Sequence, residues 1–368
     1  MISIIMPFLI TNIKQAKSTM KKTIKLTFLI IILFYSFHSF GQNKNDLTVQ
    51  IDSLILSKTT KPFNGIILIS KNGKTTYSKI VGYSDLEKKT PLQLNSQFVI
   101  GSISKQITAV LVLQEYEKGH LKLNEPIHKY LPELTQKWAD TVTVHHLLTH
   151  MHGIVALNKP TAFKVGTQFN YSYSNTGYDL LAKITEQTSA KSFAEQSKEL
   201  FQKCGMKNTF HPDIKKYKNL VKGYSEQENG KIEFEENSFR NAPAAGSFVS
   251  TASDLILWNQ NLQDGKLLKA STFKMTTTKQ EGAIRQHPLS GITHYGYGIT
   301  VDTKDEILQF GQTGFAPGFT SMNFYYPETK TSVIVLENIA YDSNDLKNTF
   351  FYHTQILKIV RQEIKNYD

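Results

Sequence analysis

The chain has 368 residues, 40% of them hydrophobic and 20% charged, ample for a large core and too apolar for wholesale disorder. Its net charge of +11 is weighted toward the start: Lys14, Lys17, Lys21, Lys22 and Lys25 precede residue 42 and no acidic residue does, which leaves 37 basic against 31 acidic side chains in the remainder. No Lys/Arg cluster with interleaved aromatics stands out, which argues against nucleic acid as a partner.

The stretch MKKTIKLTFLIIILFYSFHSFGQ begins at Met20 with a basic start, an apolar run from Leu26 to Phe37, and small residues at Ser39 and Gly41. That is the layout of a secretory signal peptide cleaved near Gly41/Gln42. The apolar run is shorter than the ~20 residues a span needs. The expectation is an exported protein, periplasmic or secreted, with no stable membrane span after processing. An uncleaved anchor is the alternative. Met1–Thr19 lacks the pattern, so Met1 and Met20 both stand as starts. The expected division is an extension and signal segment over 1–41 and a folded domain over 42–368. Cys204 is the single cysteine, which excludes an internal disulfide and a thiolate metal cluster. No cysteine follows the apolar run to carry a lipid.

From Asn45 to Ser57, Leu47, Ile51, Leu54 and Ile55 recur at helical spacing. GIILIS and TTYSKIVG then flank Lys71-Asn72-Gly73-Lys74, and Asn-Gly between two such runs predicts a β-hairpin. A helix follows in FVIGSISKQITAVLVLQEYEKG, apolar from Ile107 to Leu113 and stopped near Gly119. From about Leu121 to Asn261 the pattern is helices and loops, with short helices in TVHHLLTHMHGI and YDLLAKITEQT. Thr251-Ala252-Ser253-Asp254 before LILWNQNL predicts a capping box with Asp in place of Glu. After Tyr295 the strand pattern returns in GYGITVD, ILQFGQTG, TSMNFYY and TSVIVLEN. The chain closes on an amphipathic stretch, Leu346 to Ile364, with Phe350, Ile356, Leu357, Val360 and Ile364 on one side. Strands at both ends and helices between them predict an α+β protein. Its antiparallel sheet (about 42–100 and 290–368) is flanked by terminal helices and carries an inserted, mainly helical part (about 101–289).

Ser102 and Lys105 stand at i and i+3 at the entrance of the apolar helix and share a face. A serine hydroxyl is a weak nucleophile unless a base lies within hydrogen-bond reach and donors await the oxyanion. A serine at a helix start lends its own N–H, helped by the helix dipole. A lysine buried there has its charged form disfavoured and can accept a proton. The bland alternative is an N-capping serine with a lysine that snorkels to water.

FVIGSISKQITA resembles the Ser-x-x-Lys motif of the serine β-lactamase and penicillin-binding-protein superfamily, in particular the branch of class C β-lactamases, D,D-peptidases and esterases. FNYSYSNTGYDLLAKI supplies the family's Tyr-x-Asn as Tyr173-Ser174-Asn175. LQFGQTGFAPGF supplies Gln312-Thr313-Gly314 where the family has Lys/His-Thr-Gly. TVHHLLTHMHGI, AAGSFVSTASDLILW and YGYGI also resemble family segments, so the likeness runs from about Phe63 to Asn338.

The resemblance implies a β-lactamase/transpeptidase-like fold and an acyl-enzyme at Ser102. Lys105 and Tyr173 form the proton-transfer group. Asn175 bonds Lys105 and the substrate amide, and the N–H groups of Ser102 and Phe315 form the oxyanion hole. Gln312, Thr313, Gly314 and Phe315 line the substrate side. It implies no cofactor and no metal. The substrate is a small molecule or a peptidoglycan-derived peptide, as an ester, D-peptide or lactam.

Gln312 departs from the pattern. It carries no charge with which to anchor a carboxylate, which puts carboxylate-bearing lactams and peptides in doubt. A binding protein that keeps the cleft without turnover is the rival reading. His145, His146, His150 and His152 lack a His-Glu-x-x-His frame and are expected to be structural. Trp138, Trp258, Tyr171 and Tyr178 are expected to pack; Tyr295 and Tyr297 either line the cleft or pack.

Overall fold

A computed structural model describes residues 46–57, 61–159, 172–214, 217–236 and 242–366. The expected signal segment and Tyr171 lie outside the described residues. The chain falls into two compact units, Met1–Gln50 and Ile51–Asp368. Helix α1 spans Leu47–Leu56, with Ile51 and Ile55 buried.

The predicted hairpin is β1 (Gly65–Lys71) and β2 (Lys74–Val81), paired antiparallel. Asn72 and Gly73 take φ of 51° and 74°, the two left-handed residues that match a tight turn to strand twist. Six further strands of the same sheet come from the second half of the chain: β3 (Ile284–His287), β4 (Gly291–Tyr295), β5 (Thr300–Asp302), β6 (Gln309–Ala316), β7 (Phe319–Tyr326) and β8 (Thr331–Glu337). The order is β2-β1-β8-β7-β6-β5-β4-β3, antiparallel throughout. The first and last strands of the sheet in chain order therefore pair near one edge, with Gly65 opposite Glu337 and Ile69 opposite Val333.

Strand β8 is buried along its whole length, which fits its unbroken apolar run. Alternate residues face two different helices. Ser332 receives a hydrogen bond from Asn259 of helix α7 (Ala252–Gln263), while Glu337 on the other face meets His353 of the C-terminal helix α9 (Phe351–Lys365). Phe350, Ile356, Leu357, Val360 and Ile364 are all buried, as the amphipathic pattern predicts. Each contributes about 1.5–3 kcal/mol when fully buried.

The remaining helices are α2 (Ser104–Glu117), α3 (Val144–Leu148), α4 (Asn175–Ser189), α5 (Phe193–Cys204), α6 (Pro243–Gly246) and α8 (Ala270–Thr277). Helix α2 is buried continuously from Ser104 to Leu113. Trp258 is fully buried and donates to Gln106 Oε1 at 3.0 Å, while Trp138 packs at the edge of the same core. Burial pushes the Cys204 thiol up to about 12, so it is an inert core residue.

Two local expectations need correction. The sheet begins again at Ile284, not near 290, because β3 is a short strand whose Ile284, Arg285, Gln286 and His287 have no apolar alternation to betray it. At α7 only half of the capping box forms. Thr251 accepts from the Asp254 N–H, but the Asp254 carboxylate turns away to Asn208 N and Thr209 Oγ1, both at 2.8 Å.

Candidate active site

Ser102 lies in a single 3-10 turn, Gly101–Ile103, immediately before α2. Its hydroxyl caps neither helix, since neither N-cap carries a side-chain hydrogen bond. The turn is pinned from three directions. Phe98–Val99 pairs with Val249–Ser250, Ile100 N donates to Phe248 O at 3.0 Å, and Ser321 Oγ on β7 donates to Ile100 O at 2.8 Å. Gly101 adopts φ of 52°, and a Cβ there would lie 2.5 Å from the backbone N of Phe315. The edge of β6 at Gly314–Phe315 thus lies directly against the serine turn, and Phe315 N–H is one residue along from Thr313-Gly314.

Lys105 is 0% exposed, so it does not snorkel. Its ammonium donates to Ser102 Oγ at 3.2 Å, Asn175 Oδ1 at 2.8 Å and Ala245 O at 2.7 Å. These three acceptors are neutral, and the Tyr173 phenol is a fourth group within reach of the three N–H donors. Burial is the main cause that pulls its pKa below the ordinary lysine value, with Arg285 adding and Tyr173 opposing.

Tyr173 hydrogen-bonds both Lys105 and Ser102, and its ring centroid is 4.6 Å from the Lys105 ammonium. Burial acts to raise its phenol, but Lys105 and then Arg285 outweigh it, and the net shift is downward. Its phenol is the group nearest to both the Ser102 hydroxyl and the Lys105 ammonium that can take a proton. Asp179, one turn further along α4, is pushed up to about 6 by burial against the pull of Lys105 and Lys183. Ser174, between Tyr173 and Asn175, caps α4 by accepting from Gly177 N at 3.2 Å, which points the two flanking side chains to the same place. A hydroxyl, a base held beside it by a cation, and two backbone N–H groups nearby are what acyl transfer requires.

The histidines are built into the support. His146 completes a capping box for α3 with Thr143, and His145 Nδ1 is 2.8 Å from the Tyr297 hydroxyl. His150 accepts from Ser174 N at Nδ1, and its ring stands 4.5 Å from that of Tyr173. His152 lies against Gly177, where a Cβ would meet its Nε2 at 2.4 Å. Burial holds all four below the ordinary histidine value, hence neutral. Tyr178 is a core residue, as expected, and Tyr297 packs in the same core.

On the far side, Gln312 is only 1% exposed and both ends of its amide are hydrogen-bonded. Nε2 donates to the Tyr295 hydroxyl at 3.0 Å, and Oε1 accepts from Arg285 Nη1 at 3.2 Å and Thr300 Oγ1 at 3.4 Å. Thr313 Oγ1 is 3.3 Å from His287 Nε2, and His287 Nδ1 accepts from Leu289 N. The neutral His287 ring therefore carries its proton on Nε2 and donates to Thr313. The threonine's own proton is left to point elsewhere. Phe315 is 37% exposed at the mouth of the cleft.

The structure thus brings Ser102, Lys105, Tyr173 and Asn175 into one hydrogen-bonded cluster, with Gly314 and Phe315 beside it. The reading of the sequence missed Arg285 and His287. The only signal for them is their i, i+2 spacing in a short polar strand.

This fold and this cluster define a serine hydrolase of the β-lactamase and penicillin-binding-protein type. The family described as Beta-lactamase matches residues 60–356, and the chain belongs to it. It is 28% identical over 318 residues to penicillin-binding protein 4* of Bacillus subtilis (strain 168), covering 75% of this chain and 68% of that one. It is 27% identical over 273 residues to the teichoic acid D-alanine hydrolase of Staphylococcus aureus (strain MRSA252), covering 68% of this chain and 66% of the relative. Among solved structures, the octameric penicillin-binding protein homologue of Pyrococcus abyssi superposes with a TM-score of 0.66 at 27% identity, over 75% of this chain and 70% of that one. The D-amino acid amidase of Ochrobactrum anthropi SV3 does so at 0.72 and 21%, over 86% and 99%, and speaks for the fold alone. No helix among the described residues is long and apolar enough to cross a membrane.

Proposed function

We propose that the protein is an exported hydrolase that cleaves an ester or amide through an acyl-enzyme at Ser102. The observation that carries this reading is the Lys105 ammonium, wholly buried and held at once on Ser102 Oγ and Asn175 Oδ1 with Tyr173 against it. In the first half-reaction the Tyr173 phenolate takes the Ser102 proton as Oγ attacks the carbonyl. The oxyanion forms between the N–H groups of Ser102 and Phe315. The tetrahedral intermediate collapses, and Tyr173 returns the proton to the leaving oxygen or nitrogen. In the second, water replaces the leaving group and the same proton path runs again, releasing the acid and restoring Ser102. Lys105 keeps its three protons and stabilises the phenolate throughout.

The substrate range we propose is D-alanyl and related D-amino-acid esters and amides of the cell envelope. The name of one relative, a teichoic acid D-alanine hydrolase, supports it. The signal-like segment from Met20 supports export to where such substrates lie. The test is a fluorophosphonate probe, which labels only an activated serine, followed by a screen of D-alanyl esters, D-phenylalanine amide and a chromogenic cephalosporin. Labelling at Ser102 that vanishes in Ser102→Ala is the expected outcome. A purified, folded protein that takes no label refutes the reading and favours a non-catalytic cleft.

A further inference from the structure

Under the C-terminal helix, four buried polar atoms of three residues have no hydrogen-bond partner among the described residues: Thr320 Oγ1 on β7, Glu337 Oε1 on β8, and both ring nitrogens of His353 on α9. Thr320 is 1% exposed, Glu337 2% and His353 0%. Buried polar groups in a folded protein are ordinarily paired, so four together call for a physical reason. Thr320 stands opposite Glu337 across the β7–β8 ladder, and His353 brings Nδ1 to 3.4 Å from Glu337 Oε2 without closing a hydrogen bond. A carboxyl, an imidazole and a hydroxyl thus meet in one dry place between the sheet and α9.

The neighbours decide the charge of the pair. Tyr341 and Tyr352 both stand near Glu337, yet Tyr341 gives its hydroxyl proton to Pro62 O and Tyr352 to Lys61 O, each at 3.0 Å. The Lys61 ammonium is taken by Glu226 and Asp342, at 2.8 and 2.6 Å. Phe350 lies edge-on to the His353 ring with centroids 5.1 Å apart. The backbone N–H of Asn64 favours an ionised Glu337, but burial outweighs it and holds the carboxyl well above the ordinary carboxylate value. Burial also pushes His353 down to about 3. The docked helix therefore lays a neutral imidazole on a protonated carboxyl, and among the described residues His353 is the only ion-pair partner of Glu337.

Residue alternation sets this pair behind the active site. Thr320 is the cross-strand neighbour of Phe315, and the next residue, Ser321, turns to the opposite face and holds Ile100 O just before the serine turn.

We propose that Glu337 and His353 form a proton-controlled latch on the C-terminal helix: α9 stays docked while Glu337 keeps its proton, and loss of that proton as pH rises releases the helix from the sheet. The latch goes beyond the hydrolase reading and does not depend on it. Proton counts fix its pH response. Docked, Glu337 carries a proton and His353 carries no charge. Released, both return to their ordinary values, 4.5 and 6.5. Above 6.5 release frees one proton, so opening of the helix rises by up to about tenfold per pH unit. Between 4.5 and 6.5 the proton lost by Glu337 is balanced by the one His353 takes up, and opening is flat. The histidine therefore sets the pH at which the glutamate begins to act.

The experiment is native-state hydrogen exchange on the whole protein from about pH 5 to about pH 8.5, corrected for the intrinsic exchange rate of each amide. It compares the amides of residues 352–360 in α9 with those of residues 107–113 in α2, on the parent, Glu337→Gln and His353→Leu. In the parent, opening of α9 should be flat to about pH 6.5 and then climb by up to about tenfold per unit, while α2 holds steady. Glu337→Gln keeps the shape of the side chain without its charge and should abolish the climb. His353→Leu removes the balancing proton, so the climb should already be under way at about pH 5. Opening of parent α9 that stays level above about pH 6.5 overturns the latch. So does a parallel climb in α2, which would mean that the whole fold opens rather than the helix. A climb that survives in Glu337→Gln assigns the proton to another group and overturns it as well. The two variants test the latch separately, so if one fails to fold the other decides. Ser102 plays no part in the readout: a failed latch leaves the hydrolase reading standing, and a protein that takes no fluorophosphonate still tests the latch.

Discussion

Gly101→Ala is the most exacting perturbation of the serine turn, because it alters no polar group. The residue sits at φ of 52°, a conformation that costs an L-residue about 1–2 kcal/mol. The new methyl would also lie 2.5 Å from Phe315 N, 2.7 Å from Gly314 C and 2.8 Å from Gly314 Cα, all backbone atoms of β6. No side chain can swing aside. The strand edge must retreat by about 0.5 Å merely to clear contact, and an oxyanion donor works only within about 2.7–3.1 Å of the oxygen it serves. Misplacement by about 1 Å costs on the order of a hundredfold. We therefore expect kcat for a neutral aryl ester to fall about ten- to a hundredfold and Tm to drop by several degrees, a shift of about 1–2 kcal/mol spread over a large domain. Stopped-flow acylation, thermal melting and fluorophosphonate labelling check the three parts separately. A folded variant that acylates within threefold of the parent would show that the Phe315 N–H is not one of the donors.

Tyr173→Phe and Lys105→Met should each lower kcat by about 10²–10⁴, and the double variant should be little worse than the poorer single one, because the two act as one proton-transfer unit; multiplying losses in steady-state kinetics would separate them. Glu337 and His353 form a second buried pair, 3.4 Å apart behind the sheet, and burial drives both toward neutrality, Glu337 well above the ordinary carboxylate value and His353 down to about 3. A group whose folded pKa is raised gives its stability in full below the ordinary 4.5 and loses it as pH climbs through the folded value, whereas the His353 contribution grows between about 3 and 6.5. Glu337 gives up its contribution as pH rises above the ordinary 4.5, so Glu337→Gln should raise Tm more at pH 8 than at pH 5, and calorimetric melts showing the same shift at both would refute a protonated Glu337. N-terminal sequencing of the native protein should read from near Gln42; an intact Met1 or Met20 would sink the signal-peptide expectation.

Much of the chemistry was legible in the chain because it rests on short-range rules. The β1–β2 hairpin follows from Asn72-Gly73, whose left-handed preference is local. The helix after Ser102 follows from its apolar run, and the nucleophile and lysine share a face through a three-residue offset. The sequence also placed Tyr173 and Asn175 next to a capping serine, which is again a local arrangement. What the sequence could not decide was which residues meet across the sheet. Arg285 comes to Gln312 from a strand 27 residues earlier in number, set in the sheet by β4 and β5 pairing between them. Its strand carries one apolar residue, Ile284, so no periodicity announces it. The burial of Gln312, the proton position on His287 and the approach of Phe315 N to Gly101 likewise depend on non-local packing. A residue's type states what bonds it can make; only the tertiary structure decides which partners are within reach and whether water is excluded while they meet. That is why the sequence singled out Ser102, Lys105 and Tyr173 as candidates, and the fold decided that Arg285 stands beside them.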